Sequence, residues 1–166
     1  LNNMAYTRDD AYDTHKDYRE NVNLWEYYIR SYNGGYDYTI GQYLNRYNLE
    51  LDNEYNQRLG NTPCDNHCKN IIQIYSSFLF RVKASRDFGS MADEPSLEPF
   101  LKDADLEGNS FNSVMKQAQN YAAIYGHCFM ILDKPAIQTR TRAEELNQEI
   151  RPYISIVTPE NVLDWN

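Results

Sequence analysis

The sequence has little cysteine, no long apolar run and a deficit of positive charge. Its three cysteines, Cys64, Cys68 and Cys128, include no CxxC pair. Three cannot supply the even-numbered disulfide framework of a small secreted domain. Apolar stretches such as Ile71–Ile72 and Phe129–Leu132 fall far short of the roughly 20 residues that cross a bilayer. The opening stretch, LNNMAYTRDDAYD, lacks the apolar centre of a signal peptide. No Asn-x-Ser/Thr sequon occurs either. These absences favour a reducing, intracellular site of assembly with no membrane partner. Lys plus Arg number 16 against 24 Asp plus Glu, a net charge of −8. Residues 1–60 and the remainder share that excess, so neither is a basic arm. An acidic chain does not hold phosphate backbones over a broad face by counterion release. A nucleic-acid partner would be passed rather than gripped. A glycine-rich phosphate loop is also missing, because Asn33-Gly34-Gly35 neither follows a strand nor opens a clear helix.

What the chain has is tyrosine, 15 of its 166 residues. Tyrosine buries a ring while its hydroxyl needs a partner, so it suits wet interfaces as well as cores. The length suffices for a real core.

The organising stretch is Ser110–Pro135, read as a helix, a glycine break and a strand. Val114, Ala118, Tyr121, Ala122 and Tyr125 recur at three and four, which places them on one helical face. Asn109 or Ser110 offers an N-cap oxygen. Gly126 falls where the chain must leave the helix, and glycine alone enters the left-handed region without a Cβ penalty. Phe129 to Leu132 reads as a strand that Pro135 ends.

Earlier in the chain, residues 1–20 suggest a partly irregular arm. A helix is expected over Asn21–Tyr32, with Val22, Trp25, Tyr28, Ile29 and Tyr32 as its stripe and Asn33-Gly34-Gly35 as its stop. Trp25 reads as core rather than interface. Tyr36–Leu49 reads as a loop. Leu51–Leu59 reads as a short helix with a Glu54–Arg58 pair. Thr62 as cap and Pro63 at the first helical position predict a helix to about Phe80. Its expected buried face is Cys64, Cys68, Ile71, Ile72, Tyr75, Phe78 and Leu79. A short strand is expected over Arg81–Arg86, a loop over Asp87–Pro95 and a helical turn over Leu97–Leu101. Thr141–Glu149 reads as a charged helix, Pro152–Val157 as a strand and Thr158-Pro159-Glu160 as the cap of a last turn. Val162, Leu163 and Trp165 lack a following element to cover them, so we expect a longer protein of which this is the N-terminal part.

Three constellations could carry chemistry. Cys64, His67 and Cys68, with His127 and Cys128, could supply zinc ligands. Residues 64 and 68 also lie one above the other on a helix, where cysteine is an ordinary core residue. Asp103-x-Asp105-x-Glu107-Gly108 begins like a calcium loop, but the twelfth position is Val114 rather than a bidentate Glu. A polar turn before a helix explains it better. Cys128 and His127 are neighbours on a strand and point to opposite faces, so they cannot act as a pair.

The order of segments is more informative than any one motif. A Trp/Tyr helix closes at Asn33-Gly34-Gly35. Glu54-Tyr55-x-x-Arg58-Leu59 leads into a long helix and then Phe80-Arg81. Phe100-Leu101-x-x-Ala104-Asp105-x-x-Gly108-x-Ser110-Phe111 follows, then a helix ending Tyr125-Gly126 and Met130-Ile131-Leu132-Asp133-x-Pro135. Arg151-Pro152-Tyr153 and Pro159-Glu160-Asn161-Val162-x-Asp164-Trp165 close the series. From about Trp25 to Trp165 this resembles the N-terminal region of tailed-phage portal proteins, the head-to-tail connectors. The resemblance implies an outer-wing α+β body in a homo-oligomeric ring, commonly of twelve subunits, at a capsid vertex of the virion, assembled in the host cytoplasm. It implies contact with the major capsid protein and docking of terminase and later of head-tail adaptor proteins. Double-stranded DNA would pass through the channel without sequence-specific binding.

The expected fold is thus α+β, with helices on a small mixed sheet, an arm over 1–20 and a wing-like body over 21–166. No catalytic residue, cofactor or metal is expected. Tyr6, Tyr12, Tyr18, Tyr36, Tyr38 and Tyr43 are the expected assembly contacts. Trp25, Thr62, Pro63, Gly126 and Trp165 are the expected structural residues. The alternatives are a metal-dependent nucleic-acid-processing enzyme using Asp103, Asp105 and Glu107, and a zinc-stapled adaptor using Cys64, His67, Cys68 and Cys128.

Overall fold

The computed structural model describes residues 14–63, 66–136, 141–147 and 150–165. The chain is α+β and divides into two compact units. One takes the residues up to Asn66 together with those from Thr158, and the other is His67–Val157.

The first unit is built on helix α1, Lys16–Asn33. It starts five residues before the apolar stripe predicts. Charged residues such as Lys16 and Arg19 are good helix formers, and His15 caps them by accepting the Asp17 amide on Nδ1 at 3.2 Å. Only Trp25 of α1 is buried, while Val22, Tyr28, Ile29 and Tyr32 are half-buried. Gly34 ends the helix at φ 68°, its amide donating to the Arg30 carbonyl. A Cβ at Gly34 would lie 2.7 Å from the Asn66 side-chain nitrogen, which donates to the Tyr32 carbonyl.

Helix α2, Gly35–Ile40, follows at once, where the sequence reads as loop. Its residues are half-buried or exposed, so no apolar stripe marks it. Helix α3 is Asp52–Asn61. Thr62 is a correction: it ends α3 rather than starting the next helix. Its amide and its hydroxyl both donate to the Arg58 carbonyl, at 2.9 and 2.6 Å. Pro63 follows that end, where a residue without an amide suits a helix stop as well as a start. The C-terminal residues return to α1. The His15 amide donates to the Leu163 carbonyl at 2.9 Å, and the Trp165 ring stacks on His15 at 4.2 Å.

The second unit is centred on the predicted helix-strand stretch. Helix α4, His67–Leu79, begins four residues later than expected. Arg81–Arg86 does not pair as a strand; among the described residues its alternation finds no neighbouring strand to complete a ladder. Helix α5 is Leu97–Lys102 and α6 is Phe111–Tyr125. Ser110 accepts the Ser113 amide at 3.3 Å as N-cap. Val114, Ala118, Ile124 and Tyr125 are buried; Tyr121 and Ala122 of the predicted face are half-buried. Both α4 and α5 pack on α6. Strand β1, Phe129–Asp133, helix α7, Arg142–Asn147, and strand β2, Tyr153–Val157, complete the unit. Among the described residues the sheet is not mixed. Its two strands are antiparallel, with Ile131 opposite Ser155, and β2 packs on α6.

Gly126 sits at φ 90°, its amide donating to the Ala122 carbonyl at 2.9 Å. A Cβ there would meet nothing within 4 Å, so the first carbon of a side chain adds no clash and its penalty is conformational. Gly126→Val should destabilise by about 1–2 kcal/mol, the cost of the left-handed region for an L-residue. Gly126→Asn should cost less, since Asn tolerates that region. Urea unfolding of the two variants checks this; equal stability of Val and parent would remove the helix-stop role.

Candidate assembly surface

The tyrosines of the first unit divide by what they touch. Tyr6 and Tyr12 lie outside the described residues. Tyr18 donates its hydroxyl to the Glu160 carbonyl at 3.3 Å and lies edge-on to Trp25. Tyr38 packs against Tyr43 at 5.3 Å, and Tyr43 meets Tyr27 edge-on at 4.7 Å. Three of the expected contact tyrosines therefore touch rings or backbone of their own unit. Tyr36 is 78% exposed.

Beside them, Arg58 grips Glu50 with two parallel bonds of 2.7 Å and lies 4.5 Å from the centre of the Tyr47 ring. The Arg58 hydrogen bonds hold the Glu50 carboxyl below its usual range. The expected Glu54–Arg58 pair is not formed. Glu54 turns back to accept the Leu51 amide at 3.1 Å and caps α3.

The second unit exposes a different surface. Helix α4 turns Ser76 and half-buried Ile72 inward, and a small residue lets helices approach closely. Ile71, Ile74, Tyr75, Phe78 and Leu79 are exposed, with Phe78 at 69%. These positions form a continuous helical stripe, and Val82, beyond the end of the helix, is exposed as well. The burial predicted for Ile71, Tyr75, Phe78 and Leu79, and for exposed Cys68, is thus corrected. The apolar residues of α4 form one broad arc, and the core takes its edge, at Ile72 and the small Ser76, rather than its centre. A shallow concavity of about 660 Å³ lies over this side of the helix, lined by Asn70, Gln73, Ile74, Ser77, Phe78 and Arg81. Residues 66–86 hold Lys69, Arg81, Lys83 and Arg86 and no acidic residue. On β1, Met130, Ile131 and Leu132 are also half or more exposed.

The acidic loop is a folded turn. Asp103 accepts the Gly108 amide at 2.9 Å and pairs with Arg151 at 2.6 Å. Asp105 accepts the amides of Glu107 and Asn109 and the Asn109 side chain. Burial pushes the Asp105 carboxyl up, but those hydrogen bonds outweigh it and leave its pKa lowered. The loop therefore uses both carboxylates to order its own backbone ahead of α6. Glu107 is exposed beside it.

Of the candidate zinc set, Cys64 lies outside the described residues. His67 and Cys68 are exposed on α4. Cys128 is half-buried, with Sγ 3.4 Å from the Ala118 carbonyl, and burial raises its thiol pKa, which makes it a poor nucleophile. Among the described residues no three His, Cys, Asp or Glu side chains converge, and no helix is long and apolar enough to cross a membrane.

No family model matches the chain, and no curated protein matches it.

Proposed function

We propose that the chain is a structural subunit of a homo-oligomeric assembly, the wing region of a phage-type portal ring. The observation that carries the reading is the apolar face of α4 turned away from its own core. An exposed stripe with Ile71, Ile74, Tyr75 and Phe78 marks a protein contact rather than a solvated helix. The ordered motif series from Trp25 to Trp165 points to the portal in particular. In that role no residue performs catalysis. The ring stands at the capsid vertex, meets the major capsid protein, and offers terminase and then tail adaptors a docking platform. The acidic balance suits a conduit that lets DNA pass without stable phosphate contacts.

Negative-stain images of the full-length protein, rather than of this region alone, test the reading directly. Rings with a central hole are expected, and uniformly monomeric particles would sink it. Ile74→Asp combined with Phe78→Asp should abolish the rings while helicity is unchanged. Each apolar side chain contributes about 1.5–3 kcal/mol on burial, and a carboxylate in its place adds a desolvation cost.

A further inference from the structure

We propose that the second unit carries a seat for the phosphate group of a small organic phosphate, formed where residues 83–88 meet α5 and the start of α6. A concavity of about 640 Å³ lies there, lined by Lys83, Arg86, Phe88, Lys102, Phe111 and Asn112, among others. That volume falls in the range of small-molecule sites.

Three cations line it against one carboxylate, Glu98, which pairs with Lys102 at 2.7 Å. Both members of that pair are about three-quarters exposed, so it is weak and readily exchanged for a stronger anion. Arg86 is half-buried. Its guanidinium lies 4.9 Å from the centre of the Phe111 ring, which holds the planar group in place. No hydrogen bond or ion pair to Arg86 is formed among the described residues. A guanidinium is always charged and presents a fork of donors that matches phosphate oxygens. Fixed by a ring and with no anionic partner among the described residues, it is a prepared half of such a contact. Lys83, exposed and likewise without an ion pair among the described residues, adds a second cation.

The net charge of −8 does not exclude the seat. At physiological ionic strength charges are screened over about 8 Å, so the ligand feels the pocket and not the chain. The field at the first turn of α6 has the favourable sign as well. Phe88 and Leu101 give the rest of the ligand an apolar wall, which favours a phosphate carried on an organic body over the free ion.

Isothermal titration of the protein with adenosine monophosphate, adenosine, inorganic phosphate and a short DNA duplex tests this. Saturable binding of the monophosphate, with adenosine silent, is expected. Arg86→Gln should weaken it at least about tenfold and Arg86→Lys nearly as much, because lysine lacks the fork. The exposed Lys83→Gln should weaken it by a smaller factor without risk to folding. Lys116→Gln, outside the pocket, should leave it unchanged. Inorganic phosphate binding as tightly as the monophosphate would keep the seat and assign it to the free ion. The proposal is overturned if neither phosphate binds, if Arg86→Gln and Lys83→Gln bind like the parent while circular dichroism shows them folded, or if only the duplex binds.

Discussion

Trp25→Ala should lower the unfolding free energy by about 3–5 kcal/mol, the usual cost of truncating a buried tryptophan. Trp25 is the one buried side chain of α1 and only 5% exposed. Tyr18 meets it edge-on at 6.1 Å, so truncation removes a ring contact as well as burial. The neighbours on the stripe are half-buried and bury too little to replace it. For a chain of this size the melting temperature falls by roughly 2–4 °C per kcal/mol. Trp25→Phe should be much milder, because it keeps a ring in the same place. The Phe variant also leaves Trp165 as the only tryptophan. Its fluorescence then reports whether the stack on His15 survives. Urea titration of both variants decides the matter. A loss under about 1 kcal/mol for Trp25→Ala would mean that the first unit is held by something else.

The parts of the fold legible in the sequence are those whose signals are local. Between Ser110 and Gly126 a cap, an apolar period and a left-handed stop all agree, and α6 follows them residue for residue. Strands β1 and β2 and helix α5 lie within a residue of their predicted bounds. Where one signal has two meanings, it does not fix the local structure. Thr62-Pro63 can open a helix or follow one, and the Arg58 carbonyl took both Thr62 donors. The stretch from His67 to Leu79 has one broad apolar arc, and the core takes the edge next to Ser76 rather than the centre that periodicity points to. The contacts that build sites were illegible for another reason. Arg58 chose Glu50 across a loop over Glu54 one turn away. Arg86, Lys83 and Lys102 share a concavity that no spacing rule brings together. A basic stretch in an acidic chain was the available signal, visible as Lys69, Arg81, Lys83 and Arg86 without an intervening acid.

Asp103→Ala should cost about 3 kcal/mol, near the low end for breaking a buried ion pair by removing one partner. The low end applies because the Asp103 side chain is 29% exposed, whereas that of Arg151 is only 10% exposed. Removing the carboxylate strands a guanidinium that cannot lose its proton. The Arg151 Nη1 nitrogen already lies buried without a hydrogen bond, so Asp103 provides most of its compensation, at 2.6 Å. Asp103 also orders its loop through the Gly108 amide. Asp103→Asn separates the two roles, since the amide oxygen can still accept from Gly108 while the charge is gone. It should lose less than Asp103→Ala but more than Arg151→Met. The last variant removes the cation itself and fills its place with an apolar chain, leaving a carboxylate that can reach water. In the double variant Asp103→Asn with Arg151→Met the loss should stay close to that of Arg151→Met alone, because the stranded charge no longer exists. Urea unfolding of the four proteins measures the coupling. Additive losses would show that Asp103 and Arg151 stabilise the second unit independently. Sub-additive losses of more than about 1 kcal/mol are the signature of a buried pair that joins the loop before α6 to the residues leading into β2.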